Sequence, residues 1–223
     1  TCYSWVAYQT AYLKANYPSE YMAAVLTRNM SDIGKLKTFM DECRKMNIAV
    51  LCPDVNESYD TFGVNKKGDI RFGLSAIKGV GSNVIRDILR ARGDQPFADI
   101  YDFVERVPAG VVNRRTLENL AQAGAFDCFT GIKREDFFAE NTRGETFGEQ
   151  LLRYGQRFQK NNNDTMGSLF GDEFGAEMTQ EARPPIKPAE LWPDIERLTR
   201  ERDLVGMFLS AHPLDPYYME LEY

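Results

Sequence analysis

The sequence predicts a mainly helical protein with one small β-hairpin. Three observations support that prediction. Apolar residues recur at close to 3.6-residue spacing through most of the 223 positions. Only residues 61–73 alternate in polarity as half-buried strands do. A Gly79-Val80-Gly81 turn joins a short apolar segment to an amphipathic run, as a tight connection between two helices would. The composition, 43% hydrophobic and 27% charged, is globular and excludes a collagen-like or wholly disordered chain.

The elements follow in order. From Ser4 to Asn16 the apolar positions Trp5, Val6, Tyr8, Tyr12 and Leu13 are spaced as in a helix. Pro18 suits the first turn of a second helix, Ser19 to Met30, with Met22, Ala23, Val25 and Leu26 on its apolar side. Ser31 or Asp32 caps a third helix whose stripe is Ile33, Leu36, Phe39, Met40 and Cys43. Ile48 to Leu51, stopped by Pro53, reads as a short buried strand. Residues 61–64 and 70–73 form the hairpin around the polar loop 65–69. Helices are predicted over Ser82–Ala91, Pro96–Val107 and Arg114–Ala123, the last capped by Asn113 and ended by Gly124 in a left-handed conformation. One or two amphipathic helices are predicted over Lys133–Gln159. A polar stretch from Asn161 to about Pro188 has almost no periodicity and reads as a long linker. Helix resumes over Pro188–Leu204, and Tyr217-Tyr218-Met219 is read as a last aromatic turn.

The net charge of −6 is unevenly spread. Residues 65–115 hold ten basic and six acidic residues, net +4, whereas residues 140–223 hold nine and sixteen, net −7. A basic segment within an acidic chain can bind phosphate, because binding follows local charge; ordinary surface variation is the alternative. No apolar run approaches the roughly 18 residues of a membrane span, and there is no secretory signal, so the expected location is the cytoplasm with no membrane partner. Cys2, Cys43, Cys52 and Cys128 lack paired CxxC spacing and are expected as reduced thiols rather than zinc ligands. The chain starts Thr1-Cys2-Tyr3 and runs straight into a helical pattern, as expected of a piece of a longer protein.

The strongest local signal is Ile77-Lys78-Gly79-Val80-Gly81-Ser82-Asn83. Two glycines allow a tight turn whose middle residue packs inward while bare backbone reaches the surface. The N–H groups at the start of the next helix are unpaired and lie at its positive dipole end, where a phosphate binds without side chains in the way. Lys78, Ser82 and Asn83 are placed to add contacts, with Arg86 and Arg90 one and two turns on. This resembles the helix-hairpin-helix motif, which holds duplex DNA by its backbone and reads no bases; a plain tight turn is the other reading. Val112 to Asp127 looks like a degenerate second copy, making the unit a tandem. Its Arg114 and Arg115 lie in a first helical turn, disfavoured there unless an anion is present. In the linker, Met166-Gly167-Ser168-Leu169-Phe170 sets a Leu-Phe pair in polar surroundings, suited either to dock into a partner or to fold back on the chain. Catalytic signals are absent. Asp41-Glu42 and Glu135-Asp136 are sequence neighbours that would not face one another on a helix, His212 has no nucleophile beside it, and there is no phosphate loop of the GxxxxGK[ST] kind.

These residues together resemble the alpha-subunit family of bacterial DNA polymerase III, the replicative polymerase. The matching stretches are Tyr8-Gln9-Thr10, Leu13-Lys14, Tyr17-Pro18 and Pro53-Asp54-Val55-Asn56. They continue with Ile70 to Leu74, Ala76 to Gly81, Asn113-Arg114-Arg115, Gly124 to Asp127 and Gly206 to Leu214. The resemblance implies four parts: the end of the polymerase fingers (1–75), a helix-hairpin-helix region gripping duplex DNA (76–160), a flexible linker with the clamp motif (161–187), and a helical connector toward an oligonucleotide-binding domain (188–223). It implies primer-template duplex, the sliding clamp and other replicase subunits as partners. In the family the clamp motif begins with Gln; Met166 stands at that position, which implies weaker binding or binding by Leu169 and Phe170 alone. The catalytic carboxylates, and the magnesium they hold, belong to a palm domain that the resemblance places before residue 1, so no cofactor is expected in this segment and it should not polymerise by itself. A stand-alone helix-hairpin-helix module of a repair factor or an error-prone paralogue is the alternative, and an adaptor without a DNA role is a third.

Overall fold

The computed structural model describes residues 2–167 and 182–217. The N-terminal layer is helical. α1 (Cys2–Asn16) joins α2 (Pro18–Arg28), where the fixed φ of Pro18 suits a first helical position. α2 buries Met22, Ala23 and Leu26. α3 (Ile33–Lys45) is capped by Asp32, whose carboxylate accepts the Lys35 N–H at 3.1 Å. Its buried Leu36, Met40 and Cys43 fall on one face, as their spacing requires. α1 departs from expectation. Its apolar positions are periodic, yet only Lys14 is even half-buried, and Trp5, Tyr8 and Tyr12 stand exposed in a stacked row. The spacing set the helix correctly, but its apolar side chains are spread around it and none is buried.

The sheet contains the expected hairpin and one strand more. β1 (Val50–Leu51), β2 (Gly63–Val64) and β3 (Ile70–Arg71) lie in the order β1-β3-β2. β3 pairs antiparallel with β2, Ile70 opposite Val64, and parallel with β1, Ile70 opposite Val50. The hairpin loop is closed by the Asn65 side chain, which accepts the N–H groups of Lys67 and Asp69, and by Gly68 at φ 89°.

Beyond the sheet come α4 (Ser82–Arg92), α5 (Ile100–Arg106), α6 (Arg114–Gln122), α7 (Phe147–Gly167) and α8 (Asp194–Val205). α5 starts later than predicted because Asp99 is extended and caps it, accepting the Asp102 N–H at 2.7 Å. Helix does not run continuously over 133–159. A 3₁₀ turn (Arg134–Phe138) is followed by a tight turn with Gly144 at φ 74° and a single Glu140–Thr146 bridge before α7 begins. α7 then passes the expected linker start at residue 161 and ends at Gly167. α8 starts only at Asp194, after Pro193.

Residues 182–187, assigned by sequence to the flexible linker, form neither helix nor strand but are tied down at their start. Arg183 stacks over the Tyr101 ring at 4.9 Å and bonds Asp99 and Glu105, while the Tyr101 hydroxyl donates to the Pro184 carbonyl at 2.6 Å. One core runs through the described chain, and its second half is aromatic. Phe97, Phe103, Phe126, Phe137 and Phe147 form a relay with successive ring centroids 5.1, 5.1, 5.3 and 6.1 Å apart. Each such buried ring stabilises by about 1.5–3 kcal/mol over exposure.

Candidate nucleic-acid interface

The Gly-Val-Gly segment leaves the sheet through a 3₁₀ turn, Leu74–Ala76, rather than the full short helix expected. Ile77 and Val80 are buried, and Gly81, Ser82 and Asn83 are exposed. The two glycines differ in role. Gly79 sits at φ 78°, and a Cβ there would lie 2.4 Å from Asn119 Nδ2. That amide donates to the Lys78 carbonyl at 3.0 Å, so α6 is bonded to the back of the turn. Gly81 is extended, with nothing within 4 Å of where its Cβ would be.

α4 therefore begins bare. No side chain caps it, its first turn holds no acid, and its first backbone hydrogen bond runs from Ile85 N–H to the Gly81 carbonyl at 3.1 Å. The N–H groups of Ser82, Asn83 and Val84 precede that bond at the positive end of the helix. Arg86 is exposed one turn on and makes no ion pair among the described residues; Arg90 pairs with Asp87 at 3.3 Å. Lys78 is held elsewhere than expected. Its N–H donates to the Leu204 carbonyl and its ammonium to the Asp203 carbonyl, both at 3.0 Å, so its charge lies at the C-terminal end of α8.

The second unit is built differently from the first. Asn113 caps α6 as expected, accepting the Thr116 N–H at 2.8 Å. Arg114 in the first turn has its anions within the chain: it bonds Glu118 at 2.7 Å and makes a close contact with Glu149. Arg115 is exposed and makes no ion pair among the described residues. Gly124 adopts φ 83°, but the bare side of its turn faces inward, and a Cβ there would meet Arg134 Nη2 at 2.3 Å. The tandem thus offers one open turn, at 79–83, and one turn closed by a guanidinium.

Sequence reading missed that guanidinium. Arg134 is buried, chelates the Asp127 carboxylate through Nε at 3.0 and 3.1 Å, and bonds Glu201 on α8 at 2.9 Å. Glu201 is fully buried and also accepts the N–H groups of Leu209 and Ser210 and the Ser210 hydroxyl, at 2.7, 2.9 and 2.8 Å. Burial opposes both charges. The bonds and charges of Asp127 and Glu201 nevertheless raise the Arg134 pKa, and the donors around Glu201 hold its carboxyl below the usual value. The run Lys133-Arg134-Glu135-Asp136 resembles a solvated helix face, and only tertiary folding brings residue 201 to it.

Of the predicted clamp-motif residues, Ser168, Leu169 and Phe170 lie outside the described residues; Met166 and Gly167 form the last backbone of α7. Tyr218 and Met219 also lie outside them. Among the described residues no group of three or more His, Cys, Asp or Glu is arranged to hold a metal. No helix is long and apolar enough to cross a membrane among the residues described.

The helix-hairpin-helix motif family matches residues 47–137, a span holding the sheet, both turns and α4 to α6. The DNA polymerase III alpha subunit of Campylobacter jejuni is 37% identical over 98% of this chain and 18% of its own length. The same subunit of Saccharopolyspora erythraea is 39% identical over 96% of this chain and 17% of its own, and that of Vibrio cholerae 36% over 98% and 18%. The chain thus spans less than a fifth of the length of these relatives. With a helix-hairpin-helix unit at its centre and this likeness along nearly its whole length, the chain is a relative of one segment of the DNA polymerase III alpha subunits.

Proposed function

We propose that this chain is the segment of a replicative DNA polymerase that holds duplex DNA non-specifically behind the site of synthesis. The observation that carries the reading is the uncapped start of α4 beside Gly79 and Gly81. A backbone phosphate accepts the N–H groups of Ser82, Asn83 and Val84, the helix dipole favours its charge, and Arg86 and Arg115 add long-range attraction. Lys78 positions the turn against α8, and Arg114 braces α6 against α7. Contacts of this kind carry no base information, which suits an enzyme that must move along any sequence. Residues 1–75 act as the end of the fingers, 76–160 as the gripping unit and 188–223 as the connector. Met166 to Phe170 dock on the sliding clamp through Leu169 and Phe170. Nucleotidyl transfer, with its magnesium, belongs to other parts of such a polymerase.

The test is a titration of labelled duplex DNA across a salt series. The wild-type chain should bind with a log–log slope of about −0.9 per phosphate neutralised. Replacing Arg86 and Arg115 by Gln should flatten that slope by about 2. A slope unchanged by the double replacement sinks the assigned surface. Clamp docking is checked separately by titrating the chain with its organism's clamp beside a Leu169→Ala, Phe170→Ala variant; equal binding by both proteins rejects that contact.

A further inference from the structure

A groove lies between α3 and the segment that follows α8. Its volume is about 260 Å³. Met40 and Met207, both buried, form the apolar floor, and Phe208 is one wall. Lys37 and Arg44 on α3 and Arg202 on α8 stand at the rim, against a single lining acid, Asp41. All three cations are exposed. Lys37 makes no hydrogen bond or ion pair among the described residues. Arg44 pairs only with Asp41, and Arg202 pairs with the adjacent Asp203, each at 2.9 Å. Such exposed pairs are weak and exchange readily for another anion. Arg202 also lies over the Phe208 ring at 5.6 Å, and His212 meets that ring edge-on at 5.7 Å.

An apolar floor, an aromatic wall and cations converging from two elements make a combination that neither duplex DNA nor a purely apolar peptide requires. A duplex presents phosphates but keeps its bases stacked. An unpaired strand presents both an apolar ring face and a phosphate within one nucleotide. We propose that this groove binds single-stranded nucleic acid, one base seated over Met40 and Met207 against Phe208, with the flanking phosphates on Lys37, Arg44 and Arg202. The site does not depend on the duplex-holding role of α4.

The experiment measures binding of labelled oligo-deoxythymidine and, separately, of a blunt duplex to the full chain, its Lys37→Gln, Arg44→Gln variant and its Phe208→Leu variant. Thermal unfolding confirms that each variant is folded. The charge variant should bind the single strand about tenfold more weakly and lower its salt slope by about 1.4, at about 0.7 per phosphate contact. Phe208→Leu keeps an apolar wall but loses stacking and should also cost about tenfold. Duplex binding should be unchanged in both. The proposal is overturned if oligo-deoxythymidine does not bind, or binds the charge variant as tightly as the wild type. It is also overturned if duplex binding falls in parallel, which would make the groove part of the duplex surface. Capture of poly-glutamate in place of oligo-deoxythymidine would overturn it in favour of an acidic protein partner. Duplex binding left unchanged by Arg86→Gln and Arg115→Gln, beside single-strand binding that still depends on the groove, would remove the duplex reading and leave this one standing.

Discussion

Gly79 and Gly81 are two residues apart and tolerate a side chain very differently. At Gly79 the backbone is left-handed, which costs an L-residue about 1–2 kcal/mol, and the Asn119 amide fills the place of a Cβ. Gly79→Ala should also break the Asn119 bond to the Lys78 carbonyl, worth about 0.5–1.5 kcal/mol. The expected destabilisation of about 2–3 kcal/mol should lower Tm by about 5–10 °C. Adding Asn119→Ala removes the clash but not the strain, so the two changes together should cost clearly less than the sum of their separate costs. Strict additivity in a thermal double-mutant cycle would show that the contact does not exist. The need for glycine was legible from the Gly-Val-Gly spacing. The partner enforcing it was not, because residue 119 is forty positions further along the chain.

Among the elements, α4 is the one whose stability and function pull apart. Its N-cap is Gly81, whose extended backbone and open surroundings accept a side chain. Gly81→Asp should cap the helix and place a carboxylate at its positive end. The unfolding free energy should rise by about 0.5–1 kcal/mol, while duplex affinity falls at least tenfold because the carboxylate takes the phosphate's place. Denaturant midpoints and DNA titrations on one preparation check both signs; a gain or a loss in both together would sink the argument. Caps and periodicity made α2, α3, α4 and α6 readable almost to the residue, since these signals are local. Three features were not readable. α1 has apolar residues at near-helical spacing, yet they gather on no single face and none is buried. The stretch 133–146 was read as helix although Gly144 and the Glu140–Thr146 bridge fold it into a turn. The polar composition at 182–184 suggested a free linker, whereas an arginine stacked on Tyr101 fixes it. In each case tertiary contact, or its absence, decided what local pattern left open.

The second half of the molecule is joined by a charge system that is buried at Arg134 and Glu201 and half exposed at Asp127. Asp127 closes the second turn, Arg134 follows it, and Glu201 brings α8 and the Leu209–Ser210 segment onto α6. The same docking places the α8 carbonyls that hold Lys78 behind the open turn. A change at Glu201 should therefore be felt at the open turn proposed to hold DNA as well as in stability. Burial pushes the Glu201 carboxyl up, but the donors around it outweigh burial and hold it below its ordinary value of about 4.3. A group with a lowered folded pKa contributes stability that is fully present above the unfolded value and is lost as pH falls through the folded one. Glu201→Gln should lower the unfolding free energy by about 3 kcal/mol at neutral pH, leaving Arg134 buried with only Asp127. As pH falls below about 4.3, the wild type should lose stability faster than the variant, so that the gap between the two narrows. Comparing the two proteins removes the other carboxylates, which titrate alike in both. Calorimetric Tm values across the acid range read the gap directly. A gap as wide in acid as at neutrality would mean that the Glu201 charge is not what fastens α8 to the helix-hairpin-helix unit.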